Sequence, residues 1–443
     1  GNIGDNAQIT FRIDTLAPAA PTITAPTDGE NLNDNTPTIT WNAVTDNSLP
    51  VLYQVLIDND SDFSSPESDS GWITGTSYTP SALADNLYYL RVRAKDNAGN
   101  IGDNAQITFR IDTLAPAAPT ITAPANGAKI NDATPTITWQ APSENSLPLT
   151  YDLWIDDSSD FSSPVVSATG LTTTSYTSST LSDGLYYLRI RVHDNAGNVG
   201  ENAQISFRVD TKAPAVPSLL SPSDGSTIGT STLKCDWGDV SDTTGVSYEL
   251  QIDTNEMFSS SSLIVSKTGL SKSEYTVTMT LDGTYYWRVR AKDGAGNSSS
   301  WSDVWQFVVD TAPSTVELTG VTATATETGT GWTLTTTQST FTLSAKVEPG
   351  STVTINGISV SVAGDGSFSK TFTLSPGQNV FTIRVIDTAG NITEKTLTVN
   401  YSPTTTPTVV APPVSPSMMS IIAVIILIFV IVGVAFSFTR PRK

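Results

Sequence analysis

The chain has 443 residues, enough for two to four domains, and carries 23 basic against 43 acidic residues, a net charge of −20. A surface so charged repels phosphate backbones and anionic lipid, which excludes nucleic acid as a partner. Cys235 is the single cysteine and His193 the single histidine, so an intrachain disulfide is ruled out and little remains for Ser-His, Cys-His or zinc chemistry.

Residues 1–26, GNIGDNAQITFRIDTLAPAAPTITAP, recur unchanged at 99–124. Residues 1–14 therefore read as the last strand of a truncated repeat, with more of the protein expected upstream of Gly1. The register continues through Trp41, Trp139 and Trp237, spaced 98 residues apart. It also runs through Asp14, Asp112, Asp210 and Asp310 in the segments IDTLAP, VDTKAP and VDTAP. A period of this length marks whole domains, here 15–113, 114–211 and 212–311. Within each, hydrophobic residues alternate. Tyr88, Leu90, Val92 and Ala94 share one face of a strand, and Tyr89, Arg91, Arg93 and Lys95 share the other. One buried and one wet face predict an antiparallel sheet packed on one side. No stretch of 1–400 has helical spacing, so this region is predicted to be all-β.

The loop Asp58-Asn59-Asp60-Ser61-Asp62 has the Asp-x-Asp-x-Asp look of a calcium loop. Phe63 stands where an EF-hand loop needs glycine, and the other repeats read Asp-Asp-Ser-Ser-Asp and Asp-Thr-Asn-Glu-Met. A polar edge loop with Phe63 packed inward is the expected structure. The turn Asp-x-Ala-Gly-Asn occurs four times, from Asp96, Asp194, Asp293 and Asp387 to Asn100, Asn198, Asn297 and Asn391. Asp and Asn cap turn amides and Gly takes positive φ, so a hairpin turn accounts for the motif. Calcium at these turns, or at the inter-module Asp-Thr junctions, is the alternative, since clustered oxygens suit a hard cation. No other cofactor is expected. His193 falls where other repeats have Lys95 and Lys292, a solvent-facing strand position. Cys235 occupies the column of Ile39 and Ile137, two residues before Trp237, and is expected to be a small buried hydrophobe. Asn59, Asn297, Asn391 and Asn400 begin Asn-x-Ser/Thr sequons that permit N-glycosylation.

Residues 312–400 form a fourth module of different sequence. Asn356-Gly357 between alternating runs predicts a type I′ hairpin, and Gly364-Asp365-Gly366 a second turn. Residues 401–417, YSPTTTPTVVAPPVSPS, read as a Pro/Thr-rich extended stalk. Residues 418–438 follow without a charge, and 21 residues at about 1.5 Å each span roughly 30 Å of hydrocarbon. Arg440, Arg442 and Lys443 mark 439–443 as a cytoplasmic tail. The expected location is thus the cell membrane, single-pass, with the modules outside.

Three features recur in register: the tryptophan of TITW or KCDW, the Tyr-x-(Val/Leu)-x-Ile strand at Tyr53, Tyr151 and Tyr248, and the late tyrosine at Tyr88, Tyr186 and Tyr285. This pattern resembles the fibronectin type III sandwich over about residues 15–311. The resemblance implies that the late tyrosine serves as a corner, its hydroxyl bonded to backbone. The repeats depart from that family in an extra Ser/Asp-rich loop near Phe63, Phe161 and Phe258. Residues 312–400 resemble the bacterial Ig-like modules of cell-surface proteins and secreted glycosidases. The expected fold class is all-β, tandem immunoglobulin-like or fibronectin type III-like sandwiches with one C-terminal transmembrane helix.

Such folds host many roles. The first expectation is a membrane-anchored stalk, adhesin or surface-layer component on a prokaryotic, archaeal-type envelope, binding an unknown surface protein or glycan. The second is the non-catalytic C-terminal stalk of an exported hydrolase, a protease or glycosidase, whose catalytic domain lies upstream of Gly1. Both predict that the visible segment is not an enzyme.

Overall fold

A computed structural model describes residues 5–259, 263–320 and 325–404. Among them every regular element is a strand, and the strands build four tandem β-sandwiches. The segments assigned above to the membrane helix, 418–438, and to the tail, 439–443, lie outside the described residues, as does 405–417 of the stalk. Among the described residues no helix is long and apolar enough to cross a membrane.

The first sandwich shows the plan. It comprises β1 (Thr22–Ala25), β2 (Glu30–Leu32), β3 (Ile39–Asn42), β4 (Leu52–Asp58), β5 (Ser68–Asp69), β6 (Ser77–Tyr78), β7 (Asn86–Lys95) and β8 (Ala105–Ile111). One sheet has the order β1-β3-β6 and the other β2-β8-β7-β4-β5. The pair β2–β8 is parallel and β7–β8 antiparallel, with Tyr88 opposite Phe109. The period-two pattern of β7 is realised as strict alternation of buried and half-buried residues from Tyr88 to Lys95. Its inner face meets Trp41, Tyr53, Val55, Phe109 and Ile111 in one core. Each large apolar side chain so buried contributes roughly 1.5–3 kcal/mol, which explains how the module folds without a disulfide. The tyrosine corner implied by the resemblance is present. Tyr88 Oη donates to the Ala84 carbonyl at 2.9 Å, and Tyr186 to that of Ser182 at 3.0 Å.

Phe63 packs inward as expected, but by a route that its sequence context did not reveal. Its φ is +56°, in the left-handed region, and the Arg91 guanidinium lies 3.7 Å from its ring centroid. Phe161 repeats both features, with φ +56° and Arg189 at 3.9 Å. A bulky residue at positive φ is uncommon, and the cation stacked on its outer face holds the ring against the sheet.

The second sandwich keeps both strand orders, from Thr120–Ala123 to Ala203–Val209. Asp5–Asp14, whose sequence recurs in β8, carries no strand. Ile9, Phe11 and Ile13 are exposed there, whereas Phe109 and Ile111 are buried between β2 and β7, neighbours that 5–14 does not have among the described residues.

Two compact units divide the described residues. One runs to Ser223 and adds Lys234–Thr276 and Tyr286–Trp305, so it holds the first two sandwiches and part of the third. In that part Val246–Asp253 pairs antiparallel with Leu263–Leu270. The other unit holds Asp224–Leu233, Val277–Tyr285 and the described residues from Gln306 on. There Ser226–Ile228 runs parallel to Phe307–Val309, and the fourth sandwich packs Trp332, Leu343, Phe368, Ile383 and Leu397 into its own core. Asn356 and Gly357 both have positive φ, +49° and +78°, the type I′ turn expected from their sequence.

Candidate metal centre

The Asp-x-Ala-Gly-Asn turn is the element from which the site grows. In the first module Asp96 N–H donates to the Asn100 carbonyl at 3.1 Å, and Gly99 sits at φ +96°, where a side chain would be strained. Asp96 Oδ1 accepts the Asn100 N–H at 2.8 Å. The same bond recurs at 2.8 Å in Asp194, Asp293 and Asp387. So far this is the capped hairpin read from the sequence.

The asparagine then does something the sequence did not disclose. Its Nδ2 donates to the carbonyl of the aspartate that precedes the module: Asn100 to Asp14 at 3.0 Å, then Asn198 to Asp112, Asn297 to Asp210 and Asn391 to Asp310, each at 2.7 Å. The same Nδ2 also donates to the turn aspartate, at 2.7 Å in Asn100–Asp96 and 2.8 Å in Asn198–Asp194. One side chain thus ties a turn of each module to the chain entering it.

A third acid completes each junction. It lies in the loop after the strand equivalent to β3. The groups are Asp14, Asp46 and Asp96; Asp112, Glu144 and Asp194; Asp210, Asp242 and Asp293; and Asp310, Glu348 and Asp387. In each, three carboxylate oxygens lie within 4.8 Å of one another. Oxygen ligands at about 2.4 Å from a calcium ion are at most about 4.8 Å apart, so the spacing fits one ion among them. With neither thiolate nor imidazole in these groups, the donor set suits calcium or magnesium and not a softer metal.

The electrostatics differ between members. Burial pushes the Asp96 carboxyl up, but the Asn100 side chain and N–H, with the Gly99 and Ala98 amides, outweigh it and hold the group below the usual carboxylate range. Asp112 goes the other way. Burial drives its carboxyl up, and the charges of Glu144, Asp194 and Asp85 add to that, against only the Leu114 N–H. Asp112 is 6% exposed, and its Oδ2 has no hydrogen-bond partner. The Oγ of Ser146, fully buried two residues from Glu144, has none either. An unpartnered carboxylate oxygen buried against two more carboxylates is costly unless a cation joins it.

Of the residues singled out in the sequence, Asp96, Asp194, Asp293 and Asp387 are therefore brought into carboxylate groups. Asp58, Asp60 and Asp62 are not. Asp58 is buried and accepts from the Asp60 N–H at 2.9 Å and the Ser65 N–H at 3.3 Å, while Asp62 accepts from the Ser64 N–H at 2.9 Å. The Ser64 N–H holds Asp62 below the usual carboxylate range. These carboxylates organise the backbone of the loop, in keeping with the polar edge loop expected there. Asp46, Glu144, Asp242 and Glu348 were missed because the acid alternates between Asp and Glu in a loop of changing sequence. The signal available was the 98-residue spacing of Asp46, Glu144 and Asp242.

The remaining candidates resolve simply. Cys235 is fully buried, and burial pushes its thiol up to about 12, so it is an inert core residue. His193 is less solvent-facing than expected, with Nε2 2.8 Å from Asp152 Oδ2. The Asn297 and Asn391 amides are engaged at the junctions, Asn400 is half-buried in the strand Ile392–Tyr401, and Asn59 lies exposed in its loop.

Comparison with known proteins gives the modules their relatives. Residues 15–113 and 121–211 match the bacterial Ig-like domain, and 332–402 match glucodextranase, domain B. The bacterial Ig-like label thus falls on the first two repeats. Exoglucanase B of Cellulomonas fimi is 28% identical over 404 residues, covering 86% of this chain and 32% of that protein. Chitinase A1 of Niallia circulans is 30% identical over 212 residues, covering 46% of this chain and 28% of that protein. The chain spans about a third or less of the length of these relatives. The fibronectin(III)-like modules of Clostridium thermocellum CbhA align over 42% of this chain and 95% of theirs, at 13% identity and a TM-score of 0.26. The described residues form tandem β-sandwiches, of which the first two are similar to the bacterial Ig-like domain, and stretches of the chain are homologous to parts of two bacterial glycoside hydrolases.

Proposed function

We propose that this chain is a non-catalytic spacer of an exported carbohydrate-active protein, with calcium bound at the joints between its modules. The observation that carries the proposal is the repetition of one junction four times, each with the same aspartate, asparagine latch and third acid. A catalytic site needs features peculiar to one module; a spacer needs the same joint again and again. The homology to modules of an exoglucanase and a chitinase favours a glycosidase as the parent over an adhesin. On this reading a catalytic domain belongs to the same polypeptide outside residues 1–443. Residues 418–438 would tether the assembly to a membrane with the modules outside. Calcium would offset most of the negative charge of the three carboxylates at each joint and restrict bending there.

The test is direct. Purified protein incubated with cellulose and with chitin should release no reducing sugar in either case. Turnover of either polymer by the visible modules would sink the spacer reading.

A further inference from the structure

We infer that Asp85, Asp183 and Asp282, none of which belongs to the carboxylate groups above, are the positioning residues through which the ion at a joint restrains the preceding module. This rests on the calcium reading above.

At the second joint the three acids are Asp112, at the entry to the second module, and Glu144 and Asp194 within it. An ion among them fixes the Asp112 side chain to the second module. What it does to the first depends on how Asp112 is attached there. The Asp112 N–H donates to the Leu32 carbonyl at 2.9 Å, continuing the pairing of β2 with β8 in the first module. Its carbonyl already belongs to the second module, accepting from Asn198 Nδ2 at 2.7 Å. The other end of that peptide unit turns back. Thr113 N–H donates to Asp85 Oδ1 at 3.1 Å, and Thr113 Oγ1 donates to the same oxygen at 2.9 Å. Asp85 immediately precedes β7 of the first module.

A peptide unit is planar. With its carbonyl gripped by the second module and its N–H by the first, the 112–113 peptide is one rigid plate shared by both. Further on, the chain lies against the second module, where a Cβ on Gly200 would stand 2.5 Å from the Pro116 carbonyl oxygen. Without the Asp85 carboxylate the plate is held from one side. The first module could then pivot about the φ of Asp112 while the ion stayed bound.

The plan recurs. Asp210 N–H donates to the Ile130 carbonyl at 2.9 Å, and Thr211 N–H and Oγ1 donate to Asp183 Oδ1 at 2.9 and 2.8 Å. Asp310 N–H donates to the Ile228 carbonyl at 3.0 Å, with Thr311 N–H on Asp282 Oδ2 at 3.0 Å and its Oγ1 on Oδ1 at 2.9 Å. The Asp210 and Asp310 carbonyls accept from Asn297 and Asn391.

Spin labels on Gln106→Cys and Gln204→Cys, two exposed positions on equivalent strands, read the distance between the first two modules, and buried Cys235 stays unlabelled. In the full chain, with far-UV circular dichroism as the folding control, saturating calcium should narrow the distance distribution relative to chelator. Asp85→Ala should bind as many calcium ions as the parent and lose that narrowing. Asp85→Asn, which keeps an oxygen for Thr113, should regain it. Full narrowing in folded Asp85→Ala, one ion fewer bound there, or no recovery in Asp85→Asn would overturn the inference while leaving calcium binding intact. So would a parent that binds calcium without narrowing. A parent that binds no calcium overturns the calcium reading itself, and this inference with it.

Discussion

Asn198 Nδ2 donates to the main-chain carbonyl of Asp112 at 2.7 Å, joining the second module's turn to the linker that enters it. The same atom donates to Asp194 Oδ2 at 2.8 Å, so this amide connects two of the junction acids. It sets the distance between them before any ion arrives.

Removing that amide should loosen both partners. Asn198→Ala leaves the Asp112 carbonyl and Asp194 Oδ2 without their donor, and lost hydrogen bonds of this kind cost about 1–3 kcal/mol. Urea denaturation should show a destabilisation of this size. A variant as stable as wild type would mean that the latch contributes nothing.

The second module should also carry a pH signature. Burial disfavours charge on Asp152, but the His193 and Arg191 side chains and the Gly170 amide hold its carboxyl below the ordinary value of 3.8. A group with a depressed folded value stabilises the fold above its unfolded value and loses that contribution as pH falls through the folded one. Asp152→Asn should therefore melt below wild type at pH 6, and the gap should close as the pH falls below 3.8. A gap that stays constant to pH 2 would show that the charge is irrelevant.

Cys235 should behave as a hydrophobe. With its thiol pushed up to about 12 and no surface exposed, it should resist a thiol reagent in the native protein and react fully in denaturant. Rapid native labelling would contradict its placement in the core.

The sandwich was legible because its signal is local. Alternation from Tyr88 to Ala94 names an inner face without knowledge of any other strand. The tyrosine corner was legible only through the resemblance to the fibronectin type III sandwich, and the Asn356-Gly357 turn from its dipeptide. The junctions were half-legible. Asp96 and Asp194 stood out through their turn motif, and Asp14 and Asp112 through their spacing. Nothing in the chain said that these columns meet, because turn and linker are far apart in sequence and join only when both sheets have closed. Asp85 was illegible for the same reason, as its partner Thr113 lies 28 residues on.

The calcium proposed at the junctions is tested most directly by the melting temperature of the purified protein, with calcium at about 100 times its dissociation constant and then with chelator. Occupied sites of that strength add about 2.7 kcal/mol, which raises the melting temperature by several degrees for a domain of this size. The predicted result is such a rise with calcium, reversed by chelator. An identical melt in calcium and in chelator would contradict the account.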